Sequence, residues 1–166
     1  MQLILGKHRQ DFDEIRRLCL ICHGLDYTTS SFSDDEKGLR LSNSLSSAVE
    51  SLISSNLLSL AIALRVNIYQ KVIKFPNYEL GKSSSLYYDN ELVERAATLK
   101  QVIDKIIHAD EVLKPIVPDS LRNNPLKIAI QFKGTEFGRK KWTMNVILEK
   151  FAEEILLLLD EHEAIS

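Results

Sequence analysis

Three side chains suited to handling phosphate and protons stand in one segment, Asn90 to Ala109: Lys100, Asp104 and His108. On an α-helix they fall at i, i+4 and i+8, which aligns them along one flank. A carboxylate one turn before an imidazole orients the ring and favours its charged form, and a lysine beside them adds a cation for an anionic ligand. The trio therefore predicts a general acid–base or phosphate-contact cluster for phosphodiester chemistry. The same spacing also describes a solvated helix flank whose i,i+4 ion pairs contribute only about 0.2–0.5 kcal/mol each.

Other residues extend this set. Arg65 interrupts a long apolar run, and because arginine is rarely buried unpaired it is expected to have a partner or to lie at an opening. Arg139, Lys140 and Lys141 form the densest basic run; with Lys133 and the aromatic Phe137 they make a candidate binding tip for phosphate and base, or a turn kept soluble by charge. Arg17 and His23 point in different directions on a regular helix and converge only if the helix breaks between them. His8 and His162 stand alone near the ends of the chain. Cys19 and Cys22 are three apart on an expected helix with no second C-x-x-C, so they read as buried structural thiols. No His, Cys and acidic residues share metal-ligand spacing, and no phosphate-cradling glycine loop, G-x-S-x-G or H-E-x-x-H occurs, so neither a metal nor a cofactor is expected.

These residues need elements to position them. A helix is predicted over 10–23, with Phe12, Ile15, Leu18, Cys19 and Cys22 on one face and Gly24 as its stop. A loop follows over 25–40. A second helix is expected over 45–73, ended by Phe75-Pro76; its wide apolar surface predicts burial on two sides or a homodimer interface. Residues 76–89 read as a loop pinned by Tyr78, Tyr87 and Tyr88. The helix carrying the trio is predicted over 91–109, capped by Asn90, with the stripe Leu92, Ala96, Leu99, Ile103 and Ile106 facing inward. Pro115, Pro118 and Pro125 exclude a regular helix from the segment that follows. Period-two alternation on either side of GTEFGRKK predicts a β-hairpin over 126–148, with Leu126, Ile128, Ile130, Trp142, Met144 and Val146 buried and Lys127, Gln131 and Thr143 outward. A last helix covers 149–163. The expected architecture is mainly α: a four-helix up-down bundle, one domain over 1–166, with the hairpin inserted before the final helix.

Apolar residues make up 45% of the 166 positions, enough for a real core. The formal charge of −2 provides no global field for nucleic acid, so any anion site must be local. No continuous run reaches the roughly 18 apolar residues of a membrane span, and the N-terminus lacks the apolar core of a secretory signal; the expected compartment is the cytoplasm.

From residue 45 to about 160, the helix order, the histidine late in KQVIDKIIHAD and the hairpin ending in KKW resemble the HEPN-like family, compact helical domains of prokaryotic toxin–antitoxin and phage-defence systems. The resemblance implies metal-independent RNA cleavage through an R-x(4–6)-H motif, a site completed by homodimerisation, and a cognate antitoxin as partner. Arg17 and His23 meet that spacing in the first helix; ahead of His108, residues 102–104 are Val, Ile and Asp. Two readings follow. One is an RNA- or nucleotide-binding domain with endoribonuclease chemistry at Lys100, Asp104 and His108 and binding by Arg65, Arg139, Lys140 and Lys141. The other is a non-catalytic homodimeric protein-interaction module.

Overall fold

A computed structural model of the protein describes residues 12–31, 43–91, 93–113 and 129–165. The elements are α1 (Phe12–Ser31), α2 (Asn43–Tyr69), β1 (Ser84–Tyr88), α3 (Leu99–Ile107), β2 (Glu111–Leu113), β3 (Ala129–Glu136), β4 (Lys140–Ile147) and α4 (Leu148–Ile165). The strands form one antiparallel sheet in the order β1-β4-β3-β2. This is an α+β fold, and it overturns the expected four-helix bundle with an inserted hairpin: the hairpin is the centre of a sheet with one edge, β1, from a segment read as a loop and the other, β2, from a segment for which only a regular helix was excluded.

The hairpin itself lies where the alternation put it. Ile130 pairs with Val146 and Phe132 with Met144, and these four are buried with Trp142. Gln131, Thr143 and Asn145 occupy the opposite face, where the Gln131 amide donates to Asn145 Oδ1 (3.0 Å). Leu126, Lys127 and Ile128 lie outside the described residues. At the tip, Gly138 (φ 86°) and Arg139 (φ 65°) both adopt left-handed backbone, which reverses the chain tightly between paired strands.

The predicted 91–109 helix begins much later. Residues 93–98 are extended: Arg95 exchanges backbone hydrogen bonds with Leu86 (3.0 and 2.7 Å), and the Ala97 carbonyl accepts from Leu80 N–H (2.9 Å). Thr98, not Asn90, is the N-cap. Its hydroxyl accepts from Gln101 N–H while the Gln101 side chain accepts from Thr98 N–H, a reciprocal capping box that starts α3 at Leu99.

Two further helix ends differ from expectation. Gly24 does not stop α1. A mid-helix glycine costs about 1 kcal/mol, and continuing the helix places Asp26, 1% exposed, where Oδ2 accepts from the Glu149 N–H in the first turn of α4 (3.1 Å). One helix thus caps another, satisfying an N–H that has no intrahelical partner. At the other end, α2 stops at Tyr69, before Phe75-Pro76, because Lys71 turns left-handed (φ 59°) and the Asn67 carbonyl takes the N–H groups of Val72 and Ile73 (2.9 and 3.1 Å).

α1 packs between α2 and α4, α2 packs on α3, and α3 lies against β3. Leu57, Leu60, Leu64, Leu86, Leu99, Ile103, Met144, Leu148 and Phe151 form the centre of the apolar cluster they enclose.

Candidate functional site

Arg65 comes from the last turns of α2 and His108 from the C-cap of α3, 43 residues apart, and their side chains meet at Nη1···Nε2 3.1 Å. A guanidinium has no acceptor, so Arg65 donates and His108 accepts at Nε2, with its ring proton on Nδ1. The backbone N–H of His108 donates to the Asp104 carbonyl (3.0 Å), which fixes the residue at the helix end. The Asp104 carboxylate pairs with Arg65, Nε to Oδ1 3.8 Å. It therefore orients the arginine, and among the described contacts it does not touch the imidazole that it was expected to orient.

These three residues share one wall of a cleft of about 590 Å³ whose other side is the hairpin: Thr135, Glu136, Phe137 and Trp142. Lys100 is not in it. Lys100 lines a neighbouring cavity of about 270 Å³, with Tyr69 and Pro76, and Arg65 with Asp104 separates the two spaces. Arg65 also stacks near the Tyr69 ring, 5.5 Å from its centroid. Phe137 at the hairpin tip is wholly exposed, an apolar ring on the rim of a polar cleft.

The floor holds a group that spacing alone did not single out. Lys105 is buried on α3. Its ammonium forms an ion pair with Glu136 and sits 4.4 Å from the Trp142 ring centroid and 5.4 Å from that of Tyr88. Glu136 also accepts from the Tyr88 hydroxyl (2.9 Å). The Lys105 ammonium beside it holds the Glu136 carboxyl below the usual carboxylate range, and the Tyr88 hydroxyl adds to this. Burial, and then the Glu136 bond, push the Tyr88 phenol up to about 12. A buried lysine in KQVIDKII reads as one more solvated charge; the only sign of its role is that Val102 and Ile106, beside it on the helix surface, are apolar and buried.

The basic run at the hairpin tip diverges. Arg139 is exposed in the turn; Lys140 pairs with Glu91 (3.0 Å) and lies over Tyr88 at 4.1 Å; Lys141 faces a separate polar cleft of about 320 Å³ with Asp89, Asp110 and Lys133. Arg17 and His23 do not converge either. Arg17 is bonded to Glu14 through Nε and Nη2 (2.7 and 2.6 Å), while His23 Nε2 lies 3.5 Å from Glu153 Oε1. Among the described residues, His23, Glu149 and Glu153 form the one group able to surround a cation, with ligand atoms within 4.8 Å of one another. Two helices contribute to it, so no sequence spacing announces it, and Lys150 already pairs with Glu153 (2.8 Å).

Both cysteines are buried and free. Burial pushes the Cys22 thiol up to about 12 and the Cys19 thiol further, which keeps both protonated and unreactive at neutral pH. The segment Ser44–Tyr69 is long and apolar enough to cross a membrane by length and composition, with a mean hydropathy of 1.5 and 39% of its window buried inside the fold.

The fold and site together define an α+β domain with an Arg–His pair at the mouth of a cleft between two helices and a hairpin. Comparison with family models, curated proteins and solved structures finds no match to this chain.

Proposed function

We propose that the protein binds RNA or a nucleotide in the Arg65–His108–Phe137 cleft, and that the Arg65–His108 pair carries metal-independent phosphodiester chemistry. The observation that supports this reading most is the 3.1 Å contact between these two side chains from different helices, on the rim of a cleft edged by an exposed aromatic ring. Arginine recognises phosphate oxygens in planar, charge-assisted geometry, an unprotonated imidazole accepts a proton near neutral pH, and an exposed phenyl ring stacks a base. The HEPN-like reading keeps its chemistry here, an arginine with a histidine and no metal, with the pair assembled across α2 and α3 instead of along one helix. The four-stranded sheet stands outside that family's helical-bundle expectation, so membership is part of the proposal. A cytoplasmic location accords with an RNA substrate.

In the proposed reaction a phosphodiester draws Arg65 away from His108, freeing Nε2. His108 then takes the 2′-hydroxyl proton as that oxygen attacks phosphorus. The 5′-oxygen leaves with a proton from water, giving a 2′,3′-cyclic phosphate and a 5′-hydroxyl. Arg65 stabilises the charge on the phosphoryl oxygens.

The test uses a labelled single-stranded RNA. Arg65→Ala should lose both binding and cleavage, and His108→Ala should lose cleavage while binding changes little. Phe137→Ala should weaken binding by about 5- to 100-fold, the range expected for losing one stacked base. A wild-type protein that neither binds nor cleaves RNA, and does not bind mononucleotides, would end this reading.

A further inference from the structure

We propose that the outer face of α2 is a homodimer interface, in which α2 packs antiparallel against α2 of a second copy. The inference stands independently of the RNA reading and rests on the pattern of that one helix.

Of the 27 residues of α2, only Glu50 and Arg65 are charged. The inward face, with Ile53, Leu57, Leu60 and Leu64, is buried in the core. On the opposite side Leu45, Ala48, Leu52, Ser55, Ser59, Ile62, Val66 and Tyr69 recur at alternating steps of three and four. That is the a/d spacing of a two-helix coiled coil, apolar at six positions with Ser55 and Ser59 at its centre. Leu45, Leu52, Ile62 and Tyr69 are exposed large apolar residues, and neither charge of the helix lies on the seam. A solvated helix face normally carries charge, and an uncharged face with exposed apolar residues toward both ends marks an interaction surface.

The seam is also reciprocal. Counting outward from Leu57, Ser55 and Ser59 are two residues away on either side, Leu52 and Ile62 five, Ala48 and Val66 nine, and Leu45 and Tyr69 twelve. An antiparallel two-fold pairing brings together positions equidistant from the centre. Each layer is then matched in size: small serines at the crossing, where they let the backbones approach, with Leu52 against Ile62 of the partner and Leu45 against the partner's Tyr69. A parallel pairing would set Tyr69 against Tyr69, bring the two Arg65 side chains to the same end and align the helix dipoles unfavourably. A second copy of this chain is therefore the occupant that the pattern fits. A helix of this length is about 40 Å long and about 10 Å wide, so the contact is at the small end of specific interfaces and its dissociation constant is expected in the micromolar range.

Sedimentation velocity on the full chain at about 100 µM, well above that constant, should show a dimer that dissociates on dilution. Leu52→Glu alone and Ile62→Lys alone should each give a monomer with an unchanged far-ultraviolet spectrum, since both positions are exposed. The double variant L52E/I62K should dimerise again, because in the antiparallel layer each glutamate meets a lysine. On oxidation, L45C/Y69C should cross-link while L45C alone and Y69C alone do not. A wild-type monomer at that concentration would overturn the proposal. So would cross-linking of L45C alone, which requires parallel helices, or failure of the double variant to regain the dimer. A monomer that pellets with phosphatidylcholine–phosphatidylglycerol vesicles would assign the face to a lipid surface instead.

Discussion

At the scale of single residues, the side chains that matter are defined by what each touches. His108 is exposed and bonded to Arg65, and Arg65 keeps its Asp104 partner if the imidazole is removed. His108→Ala is therefore expected to change unfolding free energy by no more than about 0.5 kcal/mol in a denaturant titration, so lost cleavage in that variant would report chemistry and not unfolding. Gly134 behaves oppositely. A Cβ built there would lie 2.3 Å from Trp142 Cζ2 and 2.7 Å from Cε2, because the indole lies flat across the facing strand position and is backed by Lys105. Gly134→Ala must displace a buried ring, and should destabilise by about 1–3 kcal/mol. It should also shift the fluorescence of Trp142, the chain's single tryptophan. Tyr88 gives a pH signature. Its phenol is pushed up to about 12 by burial and by the Glu136 bond, so the folded state holds this proton more tightly than the unfolded chain, whose tyrosines titrate near about 10. The associated stabilisation is complete below about pH 10 and is lost as pH rises from there toward about 12. Absorbance at alkaline pH should show a phenol ionising toward about pH 12, and Tyr88→Phe should remove that step.

At the scale of elements, the capping box makes a testable claim about where α3 begins. Thr98→Ala removes the acceptor for Gln101 N–H and should cost about 1 kcal/mol, measurable by urea unfolding; Asn90→Ala should cost far less, since Asn90 lies outside any helix. The contrast explains what the sequence displayed and what it hid. The hairpin was legible because Ile130, Phe132, Trp142, Met144 and Val146 keep period two across a glycine-bearing turn. The edge strand β1 was not, because Ser84-Ser85-Leu86-Tyr87-Tyr88 opens with serines that read as loop while its backbone pairs fully with β4. β2 has three residues, too few for any period. The stripe through Leu99, Ile103 and Ile106 was correctly assigned to a helix, but extending it back to Asn90 ignored Thr98 and Gln101, whose reciprocal bonds mark the true start. The candidate site was half legible. Asp104 and His108 share a helix end, as spacing indicates, but their partner Arg65 is 43 residues from His108, and only tertiary packing of α2 on α3 brings it there. Lys100 shares their flank in sequence and faces the next cavity in space.

At the scale of the whole molecule, charge separates a local site from a general affinity. The formal net charge is −2, and several cations are already paired: Arg16 with Asp160 and Glu163, Arg17 with Glu14, the buried Lys105 with Glu136, and Lys140 with Glu91. The three consecutive basic residues at the hairpin tip point three ways, and the cleft that holds Lys141 also holds Asp89, Asp110 and Glu111. If RNA binds at Arg65 as proposed, its phosphate contacts come from that residue and a few isolated cations, not from a continuous basic track. With two to three phosphates neutralised, the slope of log K against log salt for a single strand should be about −1.5 to −2. In the proposed complex, stacking on Phe137 should contribute affinity that salt does not remove. The measurement is a salt series of anisotropy titrations on wild type, Arg65→Ala and Phe137→Ala. Arg65→Ala should flatten the slope by about one contact, or roughly 0.7, and Phe137→Ala should lower affinity at every salt concentration without changing the slope. A wild-type slope near −5 or steeper, unchanged by Arg65→Ala, would mean that RNA binds along some other, more basic surface, and that the Arg65–His108 cleft is not where phosphate is held.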